Sequence, residues 1–185
     1  MTKLTIVLCG LFIGISGDID IFRPKTIRFN VFRGRCSEYP SAPITYSNVQ
    51  FSNINRALFL SMKVHIKRNI NSEDLKLHLH LKRCNSNDAL DTCETYNTVK
   101  LNHFCKILVA DDKPWTPFRK LFNPPPGGCP LRKGEFEVNN GTFDGGALSA
   151  FPISNFYWKV TVLMLTDPGD EVVMCNKVEG QIAPI

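Results

Sequence analysis

Leu58-Phe59-Leu60-Ser61-Met62-Lys63-Val64-His65-Ile66 and Leu75-Lys76-Leu77-His78-Leu79-His80-Leu81-Lys82 are the two runs on which the reading of the fold turns. In the first, Leu58, Leu60, Met62, Val64 and Ile66 fall on one side and Ser61, Lys63, His65 and Lys67 on the other. In the second, four leucines alternate with Lys76, His78, His80 and Lys82. A period of two is that of a strand buried on one face, because successive side chains of extended backbone point to opposite sides. The polar connection Asn69-Ile70-Asn71-Ser72-Glu73-Asp74 has hairpin length, so the two runs are expected to pair directly.

Working outward, Ile27, Phe29 and Val31 alternate in the same way, and further strands are expected at 44–52, 134–143, 157–166 and 170–183. Thr166-Asp167-Pro168-Gly169-Asp170 reads as the turn between the last two. From Asn97 to Ala110 the period changes: Leu101, Phe104, Cys105, Leu108 and Val109 recur at helical spacing, so one amphipathic helix is expected there. A shorter helical turn is expected from Trp115 to Phe122, before Asn123-Pro124-Pro125-Pro126-Gly127-Gly128 breaks the chain. The fold class that follows is mainly β, an antiparallel β-sandwich or β-cup with one short helix on a connection.

The chain has 185 residues, 43% hydrophobic and 21% charged, with a formal net charge of +5. Those values give a globular domain and exclude a disordered or collagen-like chain. Its one long apolar run, Leu4 to Ile15, is shorter than the roughly 20 residues that span a bilayer. Behind Lys3 and ahead of Ser16 and Gly17, that run reads as a secretory signal peptide over 1–17, leaving 18–185 as a single domain. Cleavage removes Lys3, which lowers the charge from +5 to +4, too diffuse a balance for a nucleic-acid partner. It also removes Cys9, one of seven cysteines, and leaves Cys36, Cys84, Cys93, Cys105, Cys129 and Cys175. Six cysteines in an oxidising compartment read as three disulfides, with fifteen connectivities open. Asn140-Gly141-Thr142 is a glycosylation sequon that suits export, with Asn140 as the acceptor.

No metal and no cofactor are expected. The cysteines lack a C-x-x-C pair. Direct pairing of the two opening runs would set His65 opposite His78 with His80 two residues along, a polar hairpin face without acidic or sulfur ligands. Nor is an enzyme expected, since G-x-S-x-G, H-E-x-x-H and Walker sequences are absent and the acidic residues do not gather as a pair.

Cys129-Pro130-Leu131-Arg132-Lys133-Gly134-Glu135-Phe136 resembles the Cys-Pro segment of the ganglioside activator family, the lipid-recognition β-cups, and of the insect secreted CheA and CheB chemosensory proteins related to it. Phe104-Cys105-Lys106-Ile107-Leu108 is similar to their helix-borne cysteine, and Val172-Val173-Met174-Cys175-Asn176-Lys177-Val178 to the cysteine of their last strand. The likeness runs over roughly residues 25 to 182. It implies an apolar cavity within the cup, and the pairing Cys36 with Cys175, Cys84 with Cys93, and Cys105 with Cys129. The ganglioside activator has a fourth bridge for which this chain has no cysteines.

Alternation alone allows either a solid core or an open one; the resemblance favours the open one. On the alternation, Leu60, Met62, Val64, Leu77, Leu79, Val160, Val162 and Met164 are the candidate wall residues. Trp115, Phe118 and Phe122, with Phe151 and Ile153 of the apolar connection 145–153, are the candidate rim, since connections over a surface are ordinarily polar. Arg119 and Lys120 beside them suit anionic headgroups. The function expected is that of a secreted, monomeric, non-enzymatic binding protein for a lipid or other long hydrophobic molecule. By resemblance this is lipid presentation or transfer, or capture of a chemical signal in insect chemosensation, with a membrane surface or receptor as further partner. The alternative is an extracellular interaction module with a packed core that docks a receptor through its apolar loops. Expressed with residues 1–17 in eukaryotic cells, the chain should enter the medium with its N-terminus at or beside Asp18, as read by N-terminal sequencing; retention of the Leu4–Ile15 run would count against export.

Overall fold

Alternation becomes eight strands among the residues that the computed structural model describes, 25–55, 57–143 and 156–184. They are β1 (Lys25–Arg33), β2 (Ile44–Ile54), β3 (Ala57–Ile66), β4 (Asp74–Cys84), β5 (Glu94–Leu101), β6 (Gly134–Gly141), β7 (Tyr157–Asp167) and β8 (Val172–Pro184). Two short helices, α1 (Phe104–Val109) and α2 (Thr116–Lys120), lie between β5 and β6. The expected export segment with Cys9, and the rim candidates Phe151 and Ile153, lie outside the described residues.

All pairings are antiparallel and form two sheets, β1-β8-β7-β4-β5 and β2-β3-β6. The chain is therefore the expected antiparallel sandwich, but its two diagnostic runs do not form a hairpin. β3 belongs to the three-stranded sheet and β4 to the five-stranded one, and residues 67–73 cross between the layers. The reason is burial. Each run has a single apolar face, and placing the runs in opposite layers turns both faces onto one interior. Paired side by side, they would need a third element to cover them.

Directly opposed residues of an antiparallel pair share a face. The β4–β7 register sets Leu77 opposite Met164, Leu79 opposite Val162 and Leu81 opposite Val160. Across the gap, β3 sets Leu60, Met62, Val64 and Ile66 opposite Phe51 of β2, Val138 of β6, Tyr46 and Ile44 respectively. The interior packs as two groups. One gathers Ile44, Ile66, Ile70, Leu75, Leu131, Met164, Val173 and Met174 with Phe104 and Cys105 of α1. The other gathers Leu60, Met62 and Val138 with Phe118 and Phe122 of the α2 region. Tyr46 and Val64 touch both.

The helix expected over 97–110 is half strand. Residues 97–101 belong to β5, where Val99 and Leu101 stand opposite Leu79 and Leu77. Leu101 satisfies both periods, and the open edge of β4 supplies the hydrogen bonds that decide the case. His103, with φ +56°, takes a left-handed conformation that no helix continues, so α1 starts after it. Asp74 at the start of β4 fixes that start: its carboxylate accepts from the Cys105 amide (3.2 Å) and meets His103 Nδ1 (2.7 Å). The turn after β7 forms as read, with Gly169 at φ +112° and the Asp170 amide donating to the Thr166 carbonyl (3.2 Å).

Three disulfides are present, in the pairing that the resemblance implied. Cys36–Cys175 spans 139 residues and ties the segment before β2 to β8; Cys105–Cys129 spans 24 and Cys84–Cys93 spans 9. Closing a long loop removes more disorder from the unfolded chain than closing a short one. Replacing Cys36 and Cys175 together by alanine should cost about 4–5 kcal/mol, against about 3 for Cys84 and Cys93. Urea unfolding of the two double variants checks the order; a costlier short bridge would contradict it.

Candidate functional site

At the end of the five-stranded sheet where β7 begins and β8 finishes, the interior is not filled. A cavity of about 170 Å³ is lined by Phe29 of β1, Leu81 of β4, Trp158 and Val160 of β7, and Val178, Gly180, Gln181 and Ile182 of β8. Register builds it. Val160 is opposite Leu81 and Val178, and Trp158 opposite Gly180, on the face toward the other sheet. Gly180 is where β1 comes closest: a Cβ there would lie 2.2 Å from the Arg28 carbonyl oxygen, so no larger residue keeps Phe29 opposite it. Phe29 in turn stands edge-on to Phe51 of β2, with 6.1 Å between ring centroids.

Aromatic rings bound the Trp158 side. Tyr96 and Phe156 meet the indole edge-on at 5.1 and 6.2 Å, and the Arg83 guanidinium lies 5.4 Å from the Tyr96 ring and 4.6 Å from the Phe156 ring. Arg83, opposite Trp158 in the register, also pairs with Glu94. The cation is thus held over aromatic faces at the end of an apolar space.

Size decides what fits. An apolar cavity of roughly 150 Å³ takes a benzene ring and stays dry, whereas pockets for drug-sized molecules run to about 300–1,000 Å³. This cavity therefore takes one ring or one end of a chain. Farther in, the sandwich is packed, with Leu60 and Met62 buried against Val138 and Met164 buried in the other group.

Of the candidate wall residues, Val160 lines the cavity. Val162 and Leu79 are the next residues inward on the same face, followed by Met164 and Leu77. Leu60, Met62 and Val64 belong to the packed interior of the facing sheet. Of the rim candidates, Phe118 and Phe122 fold back onto the sandwich: Phe118 stacks on Phe143 (5.0 Å) and stands edge-on to Phe122 (5.3 Å). A Cβ on Gly141 would lie 2.5 Å from the Phe118 ring, so that glycine gives the ring its seat. Trp115 is half-buried at the start of α2. None of these three lines the cavity. The sequence reading missed Phe29, Leu81, Trp158, Val178 and Ile182. Their signal was present, because Leu81 ends the leucine run and Val178, Gly180 and Ile182 alternate in the last strand.

One polar group interrupts the interior. The Tyr46 hydroxyl donates to Met174 Sδ (2.7 Å) and accepts from Asn176 Nδ2 (3.3 Å). Burial pushes the Tyr46 phenol up to about 12, against a smaller opposite effect of the Asn176 hydrogen bond. The histidines do not converge. His65 lies between Ser47 Oγ (2.6 Å) and Glu135 Oε1 (3.1 Å), while His80 faces Thr98 (3.2 Å) on the other sheet. Burial, then the Lys100 and His80 charges, hold His78 below the ordinary imidazole range. Among the described residues no three His, Cys, Asp or Glu side chains gather as metal ligands. Asn140 of the sequon is exposed at the end of β6, with φ +52°.

No protein-family model matches the chain. No curated protein matches it. Among solved structures it is similar to a Niemann-Pick type C2 protein from Japanese carpenter ant, with 18% identity over 84% of this chain and 99% of that one and a TM-score of 0.38.

The raised phenol has a consequence for stability. Unfolding returns Tyr46 to the ordinary value near 10, so the unfolded chain ionises first as pH rises. The stabilisation is whole below about pH 10 and is lost toward pH 12. Between those limits the protein should lose about 2 kcal/mol more than its Tyr46→Phe variant, as read from urea unfolding at each pH; equal losses would show a phenol that titrates freely.

Proposed function

We propose that this chain is a secreted, non-enzymatic carrier that holds a lipid or other long hydrophobic molecule between its two sheets, acting as a monomer. The apolar cavity beside Trp158 and Val160 is the observation that carries the reading. A sandwich whose apolar faces already meet gains little from leaving such a space empty, because its lining gives up dispersion contacts. A ligand end restores them and removes apolar surface from water at roughly 25 cal/mol per Å², offset by ordering costs. A longer chain would enter past Val160 and Leu81 toward Val162 and Leu79 by parting the packed interior, which would make Leu60, Met62, Val64, Leu77 and Met164 its deeper wall. In this reading Phe151 and Ile153 of the 145–153 connection form the rim that meets a membrane surface or receptor, since Phe118 and Phe122 fold back onto the sandwich and Trp115 does not line the cavity. Capture of a chemical signal in an insect sensory setting is its narrowest form, supported by the resemblance of the Cys-Pro segment.

A second reading, an extracellular interaction module, draws on Val109 and Leu121, which stay exposed beside α1 and α2. A native mass spectrum of protein secreted from eukaryotic cells separates the two. Added mass of lipid size that organic extraction removes supports the carrier; a bare chain that takes up no apolar dye supports the module. Val160→Phe, which fills the cavity from its own wall, should weaken dye binding at least about tenfold while leaving the unfolding midpoint near that of the parent protein.

A further inference from the structure

Asn176 carries an unexplained atom. It is 6% exposed, and among the described residues its side-chain oxygen has no hydrogen-bond partner. The orientation of the amide follows from its neighbours. The Tyr46 hydroxyl donates to the Met174 sulfur and accepts from Asn176 Nδ2, so the amide turns its NH2 group toward the phenol. The same NH2 group lies 3.9 Å from the sulfur. What remains is a carbonyl oxygen, an acceptor with two lone pairs, in an interior of Val, Met and aromatic side chains. A buried acceptor left unpaired costs about 1–3 kcal/mol, which is why such atoms generally have a partner.

Its position is as informative as its burial. Asn176 stands opposite Val162, one step inward on the same face from the Val178–Val160 pair that lines the cavity. Two residues along a strand span about 6.7 Å, the reach of a short chain end that passes Val178. A buried acceptor one step beyond an apolar lining favours a ligand that leads with a donor.

We infer that the Asn176 side-chain oxygen is the polar anchor of the cavity, and that its ligand is an apolar chain or ring with a hydroxyl at its leading end. Tyr46 and Met174 act as positioning residues, since their hydrogen bonds hold the amide with its oxygen free. This inference rests on the cavity being a ligand site, as proposed above.

Three probes of equal heavy-atom length test it: hexan-1-ol, methyl pentyl ether and heptane, each titrated into the disulfide-intact protein by calorimetry. The alcohol should bind about fivefold to tenfold more tightly than the ether, the gain of one buried hydrogen bond, and Asn176→Leu should abolish that ratio while heptane binds as before. In the unmodified protein, the side-chain amide resonance of Asn176 should shift with the alcohol and stay fixed with heptane, which decides the matter even if the leucine variant does not fold. Equal binding of alcohol and ether, or a ratio that survives Asn176→Leu, overturns the anchor and leaves the carrier standing; the oxygen is then served by water. Failure of all three probes to bind overturns the carrier and the anchor with it.

Discussion

Two strands that each bury one apolar face must find something apolar to bury it against, and here both turn onto one shared interior. β3 and β4 are neighbours in sequence but lie in opposite layers around one interior, where Ile66 and Val64 join the group of Leu75 and Leu77, while Leu60 and Met62 pack with Phe29 of β1 and Phe118. The other pairings extend these two strands sideways. β2 and β6 flank β3, and β5 and β7 flank β4, with β8 and β1 continuing beyond β7. Since the side-chain period is two, this arrangement dictates which residues are inside: a slip of one position would put Lys76, His78 and His80 in the core.

The interior so formed is uneven. Toward Leu131 and Ile70 it is solid, stitched by the Ile70–Leu131 bridge and by Cys105–Cys129. Toward Trp158 it is open, where Gly180 admits β1 so closely that no side chain stands in the space between. Tyr46, Met174 and Asn176 mark the boundary between the two regions, and hydrogen bonds cross there from one sheet to the other. A space left unfilled sacrifices packing, and the three disulfides offset that loss by restricting the unfolded chain. The 139-residue span of Cys36–Cys175 makes it the largest contributor, and it anchors β8, the strand that carries half of the cavity lining.

Much of this was legible. The alternating runs named the strands and their buried faces, and every candidate wall residue is on an inward face. Where the reading diverged, a local signal had two physical answers. Leu101, Phe104, Cys105 and Leu108 fit a helical stripe, yet Leu101 fits β5 equally, and only the presence of β4's unpaired edge selects the strand. Asn69–Asp74 has hairpin length, and a polar connection of that length serves just as well to cross between layers. The aromatics of α2 look like a surface rim because they sit on a connection; the seat that Gly141 offers Phe118 turns them back onto the sandwich.

By itself the sequence determined the class of fold, the inward set of residues, the oxidised state expected of six cysteines and the absence of familiar catalytic patterns, because each of these follows from periodicity, composition or short spacing. Only the tertiary structure decided which strands share a sheet, where the interior stays open, and that the Asn176 side-chain oxygen, one step inward from the cavity lining, has no hydrogen-bond partner among the described residues. Those depend on register and on close approach between residues as far apart as Tyr46 and Asn176, and no local pattern records such distances.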